Sequence, residues 1–231
     1  MNFNELLKTI DIELTEKQLE QFKSYYEFLI EYNKNVNLTA ITEETEVYIK
    51  HFYDSILLSK VISLSEIETI CDVGSGAGFP SIPLKILFPH IKVTIIDALD
   101  KRIKFLALLS DKLGLDNVNL IHGRAEECAK ELRESFDLVT ARAVARENLL
   151  NELCIPLTKV NGYFVSMKGK NFIEEINEGK SLVELKGKII LQKEYILPQE
   201  DAKRVFIVIK HYDKCPLKYP RNFNIMKKKP L

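Results

Sequence analysis

The sequence predicts an α/β protein in which a mostly parallel sheet is covered by helices and is closed by an antiparallel C-terminal hairpin. From residue 67, short β-branched runs alternate with helix-length segments, the pattern of βαβ units. The 231 residues, 46% hydrophobic and 29% charged, suffice for a sizeable core. We expect residues 1–66 to form a helical extension packed on the core and residues 67–231 to form the main domain, as one compact unit.

Two helices are predicted in the extension. Thr15-Glu16-Lys17-Gln18 has the form of a capping box, and apolar residues then recur at helical spacing, so a helix is predicted over residues 16–34. A second helix is predicted over residues 43–60, where His51 and Asp54 share a face at spacing i, i+3. That pair is a candidate site, and a helix-packing pair is an equally good interpretation.

The remaining helices and strands are predicted from residue 67 onward. A clear amphipathic helix is predicted over residues 101–113, with Gly114 as its end, and a further helix over residues 172–185. Residues 188–197 and 204–212 are predicted to form the terminal hairpin. The five runs predicted as parallel strands are IETICDV (67–73), IKVTIID (91–97), NVNLI (117–121), FDLVTA (136–141) and GYFVSM (162–167).

A glycine-rich turn after the first predicted strand is the strongest local signal. Gly74, Gly76 and Gly78 lie in the segment DVGSGAGFP, between a strand and a helix, and Asp97 ends the second strand. Glycines here let the backbone approach a ligand, and an acid at the end of the second strand can accept hydrogen bonds from ribose hydroxyls. The arrangement predicts a nucleoside-bearing cofactor.

The spacing of the glycines distinguishes between cofactors. A dinucleotide fingerprint reads G-x-G-x-x-G, whereas this sequence reads G-x-G-x-G and continues with Phe79 and Pro80. A bulky residue there would crowd a pyrophosphate but suits a ligand without phosphate. Together with the terminal hairpin, this favours the seven-stranded, Rossmann-like sheet of class I S-adenosylmethionine-dependent methyltransferases.

Several short blocks occur in the order and spacing of one protein family. The chain resembles the bacterial 16S ribosomal RNA guanine-N7 methyltransferases, formerly named glucose-inhibited division protein B, from about residue 5 to the C-terminus. It departs from the family at Ser81, where glycine is usual, and in the run Ala98-Leu99-Asp100. The blocks are NVNLTAI (35–41), HFYDS (51–55), DVGSGAGFPSIPL (72–84), DALDKRIKFL (97–106), GRAEE (123–127), TARAVA (140–145), MKG (167–169) and YPR (219–221).

The resemblance implies methyl transfer from S-adenosylmethionine to N7 of a guanosine, at position 527 in the 530 loop of the 16S rRNA of the small ribosomal subunit. By resemblance, Gly74, Phe79, Ala125, Glu126 and Arg142 match positions that line the pocket for S-adenosylmethionine. On physical grounds we add Gly76, Gly78 and Asp97 to the cofactor-binding candidates, with Asp97 at the ribose.

The residues present are consistent with this chemistry. Guanine N7 has a lone pair and no proton, so alignment of nitrogen, methyl carbon and sulfur replaces a general base, and proximity alone can lower the barrier by roughly 7 to 11 kcal/mol. The N/D-P-P-Y/F motif of exocyclic-amine enzymes is absent after the fourth strand, and no cysteine closely follows the fourth or fifth strand. Arg142 and Lys168 are the candidate catalytic residues.

The positive charge that develops on guanine limits where Arg142 and Lys168 can contact the base. Positive charge arrives on the purine during transfer, so a cation at N7 would oppose the reaction. We therefore assign the basic residues to phosphates, to the carboxylate of the donor or to O6 of guanine. Lys168 or Arg142 within hydrogen-bond reach of the target N7 in a complex would contradict this hypothesis.

The charge is unevenly distributed although the net charge is zero. Residues 1–69 carry six Lys and thirteen Asp or Glu (net −7), and residues 161–231 carry fifteen Lys or Arg and eight Asp or Glu (net +7). This polarity predicts a basic, RNA-binding surface in the C-terminal third. The candidate RNA-binding residues are Lys168, Arg204, Tyr219 and Arg221, with the tyrosine available for base stacking.

Other functions remain open from the residues alone. A small-molecule methyltransferase would share the cofactor site, a noncatalytic RNA-binding module would lack it, and a nicotinamide-dependent oxidoreductase is a more distant alternative. The scattered Cys and His residues show no metal spacing. Without a long apolar run or a basic leader, we expect a cytoplasmic protein, with no membrane contact and no protein partner, acting as a monomer.

Overall fold

The computed structural model describes residues 3–142, 145–169, 180–199 and 202–231. The described residues form one sheet of seven strands, with helices on both of its faces. The strands are β1 (Thr69–Val73), β2 (Lys92–Asp97), β3 (Val118–His122), β4 (Phe136–Arg142), β5 (Thr158–Lys168), β6 (Gly187–Ile196) and β7 (Lys203–His211). The helices are α1 (Phe3–Lys8), α2 (Glu16–Val36), α3 (Glu44–Val47), α4 (Asp54–Ile56), α5 (Ser81–Leu87), α6 (Asp100–Lys112), α7 (Ala125–Cys128), α8 (Glu147–Cys154), α9 (Lys180–Leu185) and α10 (Phe223–Lys228).

The order of the strands across the sheet is β3-β2-β1-β4-β5-β7-β6. Strands β1 to β5 pair in parallel, whereas β7 is antiparallel to β5 and β6 is antiparallel to β7. The predicted fold class, with five parallel strands and an antiparallel hairpin, is therefore confirmed. The chain reverses its strand order at β1 and β4, and ligands of open α/β sheets bind at such a switch point, at the carboxyl ends of the strands.

Helix α2 begins where the sequence indicates. The Thr15 hydroxyl accepts a hydrogen bond from the Gln18 amide, and the Gln18 side chain accepts one from the Thr15 amide, which completes the capping box. The helix ends at Val36 and is capped by Asn37, whose φ of 51° is left-handed. Its buried face, which includes Phe22, Tyr25 and Leu29, packs on the core.

The predicted helix over residues 43–60 is only partly regular. Between α3 and α4 the backbone forms a π-helix over Tyr48–Tyr53, and a 3₁₀-helix over Leu57–Lys60 follows. The apolar stripe of the sequence indicates helix but cannot reveal a change of winding. Wider π turns are frequent at functional sites, and this one carries His51.

One predicted helix is described only in part, and two helices were not expected. Helix α9 is the described end of the predicted helix, whose residues 172–179 lie outside the described residues. Helices α1 and α10, of six residues each, were not predicted because they are too short to show a helical period.

The first 66 residues and the sheet share one hydrophobic cluster. Phe22 and Phe52 from the extension lie in the same buried cluster as Leu138 of β4 and Phe206 of β7. The extension is therefore packed on the sheet, while its boundary at residue 67 stays a prediction.

Candidate functional site

The glycine-rich loop follows β1, and Gly76 and Gly78 differ in role. All three glycines of the loop have positive φ, at 73° for Gly74, 64° for Gly76 and 102° for Gly78. A Cβ added at Gly78 would come within 2.7 Å of the Tyr25 hydroxyl and 2.8 Å of Ile82, so that glycine permits helix packing. A Cβ at Gly76 would meet nothing within 4 Å, so that face of the loop is open to a ligand.

The open face borders a cavity of about 360 Å³. This volume lies within the range of ligand pockets, roughly 300 to 1,000 Å³. The cavity is therefore not filled by the protein's own side chains. It is lined by Leu38, Thr39, His51, Gly74, Ser75, Gly76, Ala77, Phe79, Arg102 and Arg142.

A larger cleft, of about 500 Å³, opens among α1, α2 and the segment from α3 into the π-helix. Glu44 is its one charged lining residue in the described chain, and no residue of β1 to β5 lines it. We assign the site to the smaller cavity because it lies at the switch point of the sheet.

Asp97 ends β2 beside this cavity and organises the loop. Its Oδ2 accepts hydrogen bonds from the Gly76 amide (3.1 Å) and from Nη1 of Arg102 (3.2 Å), and its Oδ1 accepts one from the Leu99 amide (3.0 Å). A carboxylate offers about four acceptor positions, so three of them are in use. The predicted contact of Asp97 with a ribose stays a prediction, and it would use the remaining position or displace Arg102.

Asp72 lies beneath the same loop, fully buried in β1. Burial raises the pKa of this carboxyl to about 7, although hydrogen bonds from Ser81 and Ser75 oppose the rise. The Ser81 amide donates to Oδ2 over 3.2 Å. The Ser81 side chain adds a hydrogen bond to this carboxyl that the glycine usual in the family would lack.

Arg142, at the end of β4, contacts both residues of the candidate pair. Its Nη1 donates to Asp54 Oδ2 (3.0 Å) and to the Lys50 carbonyl (3.2 Å), and its Nη2 lies 3.3 Å from His51 Nδ1. The centre of the guanidinium lies 4.9 Å from the Phe79 ring. His51 and Asp54 are therefore more than a helix-packing pair, because both help to fix an arginine that lines the cavity.

His51 is held neutral in this position. Burial, reinforced by the nearby Arg142, lowers the pKa of its imidazole to about 3. The ring stacks on Phe79 with 4.4 Å between the centroids, and its Nε2 lies 2.9 Å from the Thr39 hydroxyl. A neutral ring can accept one hydrogen bond and donate another, which links Arg142 to Thr39 across the cavity wall.

Two candidate RNA-binding residues pair with buried carboxylates near the site. Nε of Arg204, on β7, lies 3.2 Å from Asp54 Oδ1. Lys168, at the end of β5, lies 3.2 Å from Glu147 and donates to the Ala145 carbonyl over 3.0 Å. Both residues are at the predicted edge of the sheet, but their charges are already partly compensated.

The other two RNA-binding candidates are held in the C-terminal segment. The Tyr219 side chain is 3% exposed and its hydroxyl donates to Glu184, so its ring offers no free face for stacking on a base. Arg221 forms a bidentate ion pair with Glu152, at 2.7 and 2.6 Å. These contacts arise because the segment after β7 folds back over α8, which the charge pattern alone cannot show.

Ala125 and Glu126 begin α7, directly after the loop that follows β3. The Gly123 amide donates to the Asp97 carbonyl, so this loop adjoins the end of β2. Neither residue lines the cavity. The contact of both residues with S-adenosylmethionine, which the resemblance implies, stays a prediction.

Thr39 and Arg102 line the cavity but were not among the sequence candidates. Thr39 lies in the NVNLTAI block that carries the resemblance, which is the one signal that could have indicated it. No role for this block could be predicted from the sequence, because the contact between Thr39 and His51 depends on how the extension folds against the sheet.

Among the described residues, no group of three or more His, Cys, Asp or Glu side chains could hold a metal ion. Within the same ranges, no helix combines the length and the apolar character that a membrane crossing requires.

Comparison with known protein families gives a match over most of the chain. The model of the GidB family, described as rRNA small subunit methyltransferase G, matches residues 18–200. Ribosomal RNA small subunit methyltransferase G of Lactobacillus helveticus is 53% identical over 223 residues, which cover 94% of this chain and 93% of the relative. The protein of the same name from Staphylococcus saprophyticus is 51% identical over 227 residues, 97% of this chain and 95% of the relative.

A solved structure with low sequence similarity shares the fold. A mutant 16S rRNA (adenine(1408)-N(1))-methyltransferase from Catenulisporales acidiphilia, with its cosubstrate SAM, superposes with a TM-score of 0.54 at 15% identity. The match covers 70% of this chain and 93% of that chain. It supports the class I methyltransferase architecture.

Proposed function

Because the chain belongs to the rRNA small subunit methyltransferase G family, we propose that it transfers a methyl group from S-adenosylmethionine to N7 of a guanosine in 16S rRNA. The observation that carries the proposal is an open cavity at the switch point of a methyltransferase fold, between the glycine-rich loop and Arg142. We further propose that the protein acts as a monomer in the cytoplasm, on RNA of the small ribosomal subunit.

The residues around the cavity suit S-adenosylmethionine, which supplies a methyl group bound to a positively charged sulfur. Gly76 leaves its face of the loop open, and Arg142 offers a cation for a carboxylate. His51 adds no charge, since its low pKa keeps it neutral near pH 7. The cofactor contacts of Gly74, Gly76, Gly78, Phe79, Asp97, Ala125, Glu126 and Arg142 are part of this proposal.

The protein's task is alignment rather than proton transfer. Guanine N7 bears a lone pair, so the chain must exclude competing orientations and hold the base in line with the sulfur–methyl bond. The guanidinium of Arg142 is held by Asp54, by the Lys50 carbonyl and beside His51, and Lys168 is held by Glu147. These contacts keep both cations from moving freely to N7, where a positive charge would oppose the transfer.

Phosphate contacts are proposed to come mainly from exposed lysines, with Lys168 and Arg204 of the predicted residues as further contributors. Arg204, Arg221 and Lys168 are paired with carboxylates, which reduces the charge that they offer to RNA. The exposed lysines near the C-terminus are Lys214, Lys218, Lys227, Lys228 and Lys229. If these bind phosphates, the logarithm of the RNA affinity will fall linearly with the logarithm of the salt concentration.

Mapping of the modified base tests the proposed reaction. Ribosomal RNA from cells with and without the gene is treated with borohydride and aniline, which cleave at N7-methylguanosine. Cleavage at one guanosine of 16S rRNA should be lost with the gene and restored by the wild-type chain. Restoration should fail with the variant Arg142→Gln, while Asp100→Asn, which alters an exposed carboxylate, should restore it. An unchanged cleavage pattern without the gene would contradict the proposal.

A further inference from the structure

Arg142 is fixed from one side by two oxygen acceptors and by the ring of His51. Its Nη1 donates hydrogen bonds to the Asp54 carboxylate and to the Lys50 carbonyl, and its Nη2 lies beside His51 Nδ1. The Phe79 ring covers the guanidinium at 4.9 Å. With these contacts made, the plane of the guanidinium and the direction of its remaining donors are defined.

The remaining donors form one edge of the guanidinium. Arginine carries five N–H groups in a planar fork; the contacts above use both N–H groups of Nη1 and direct one N–H of Nη2 toward His51. Within the described ranges, no protein acceptor takes the Nε–H or the second Nη2–H of Arg142. In any arginine the Nε–H and the Nη2–H beside it are parallel, which is the geometry that binds a carboxylate through two hydrogen bonds. Arg142 lines the cavity and its side chain is 16% exposed.

Asp54 is the negatively charged group between two arginines in this arrangement. Its side chain is 3% exposed, and its two oxygens pair with arginines from different strands: Oδ2 with Arg142 of β4 and Oδ1 with Arg204 of β7. Without the carboxylate, the two guanidiniums would repel each other in a poorly solvated place. Asp54 therefore determines where both side chains can lie.

We propose that Asp54 is a positioning residue, which turns the free edge of Arg142 toward the carboxylate of the methionine part of the donor. This inference rests on the proposed function, since it requires S-adenosylmethionine in the cavity. Asp54 does not touch the donor itself. It acts through Arg142, and its loss should therefore affect only the part of the ligand that Arg142 contacts.

Two ligands that differ in one group can isolate this effect. S-adenosylmethionine carries the carboxylate, whereas decarboxylated S-adenosylmethionine keeps the adenosine, the sulfonium and the amine but lacks it. Calorimetry on the full chain should show that Asp54→Asn weakens binding of S-adenosylmethionine about tenfold or more, the range for hydrogen bonds to a charged group. Binding of the decarboxylated ligand should change less than about threefold, within the ordinary effect of a distant substitution.

Control variants separate positioning from general damage to the fold. Asp100→Asn removes an exposed carboxylate that pairs with Lys104 and should leave both affinities unchanged. Asp54→Glu keeps the charge, and so the fold should survive, but it displaces the carboxylate and should give the same selective loss. Arg142→Lys removes the fork, and adding Asp54→Asn to it should cause no further selective loss, because the two residues act as a unit.

The outcomes distinguish this inference from the proposed function. If the wild-type chain binds neither ligand at millimolar concentration, the proposed function fails. If it binds both and the Asp54 variants weaken the two ligands equally, or weaken neither, the positioning role of Asp54 is overturned. Selective loss for the ligand with the carboxylate, in both Asp54 variants, supports it.

Discussion

The ion pair between Arg221 and Glu152 should be a stability element rather than an RNA contact. Glu152 is 1% exposed, and it accepts hydrogen bonds from the Arg221 amide (2.8 Å), Nε (2.7 Å) and Nη2 (2.6 Å). Breaking a buried pair by removing one partner costs about 3 to 5 kcal/mol. Because the arginine side chain is 23% exposed, we expect Arg221→Gln to lower the free energy of unfolding by about 3 kcal/mol, near the low end of that range.

Urea denaturation followed by circular dichroism measures this change. The double variant Glu152→Gln/Arg221→Gln removes the uncompensated charge and should recover most of the loss. Lys218→Gln is the matched control: its 3.7 Å contact with Glu184 is exposed and screened by solvent, so this variant should leave the stability unchanged. A stability within about 1 kcal/mol of wild type, together with weakened RNA binding, would refute this assignment and return Arg221 to the role that the sequence predicts.

Further predictions concern titration and the glycine loop. Asp72 has a pKa of about 7 when folded and about 3.9 when unfolded, so wild-type stability should decline as pH rises from about 4 to 7; in Asp72→Asn, urea titrations should show that decline removed. The folded pKa of His51, about 3, lies below its unfolded value near 6.5, so stability should fall as pH drops through this window, and His51→Gln should reduce the fall, which acid titration of the circular dichroism signal would measure. Gly78→Ala should lower the melting temperature more than Gly76→Ala, because its Cβ meets Tyr25 and Ile82 whereas the other Cβ meets nothing; equal effects in calorimetric scans would contradict this distinction.

Local sequence signals predicted the parts of the site that depend on neighbouring residues. The glycine-rich loop, Asp97 and the strand ends follow from short motifs and from the period of the hydrophobic pattern, and all of them lie at one edge of the sheet. The same logic placed Arg142 and Lys168 at the ends of β4 and β5. The position of a residue that directly follows its own strand can be predicted without knowing how distant segments pack.

The partners of the basic residues could not be predicted in this way. The carboxylate that pairs with Arg204 is Asp54, 150 positions earlier in the chain, and the one that pairs with Arg221 is 69 positions away. The charge count correctly describes the C-terminal third as basic, but it treats every cation as available. Which cations are neutralised depends on where the extension and the C-terminal segment cross the sheet.

The extension contributes one wall of the cavity and also contacts the glycine-rich loop that borders it. The Tyr25 hydroxyl of α2 donates to the Ala77 carbonyl in the glycine-rich loop, while Thr39 and His51 complete the opposite side. A shortened enzyme that kept only the seven strands would therefore expose its donor to bulk water along a full flank. For the same reason, grafting the leading segment of a distant relative onto this sheet should preserve activity only when the grafted residues and the loop have diverged together.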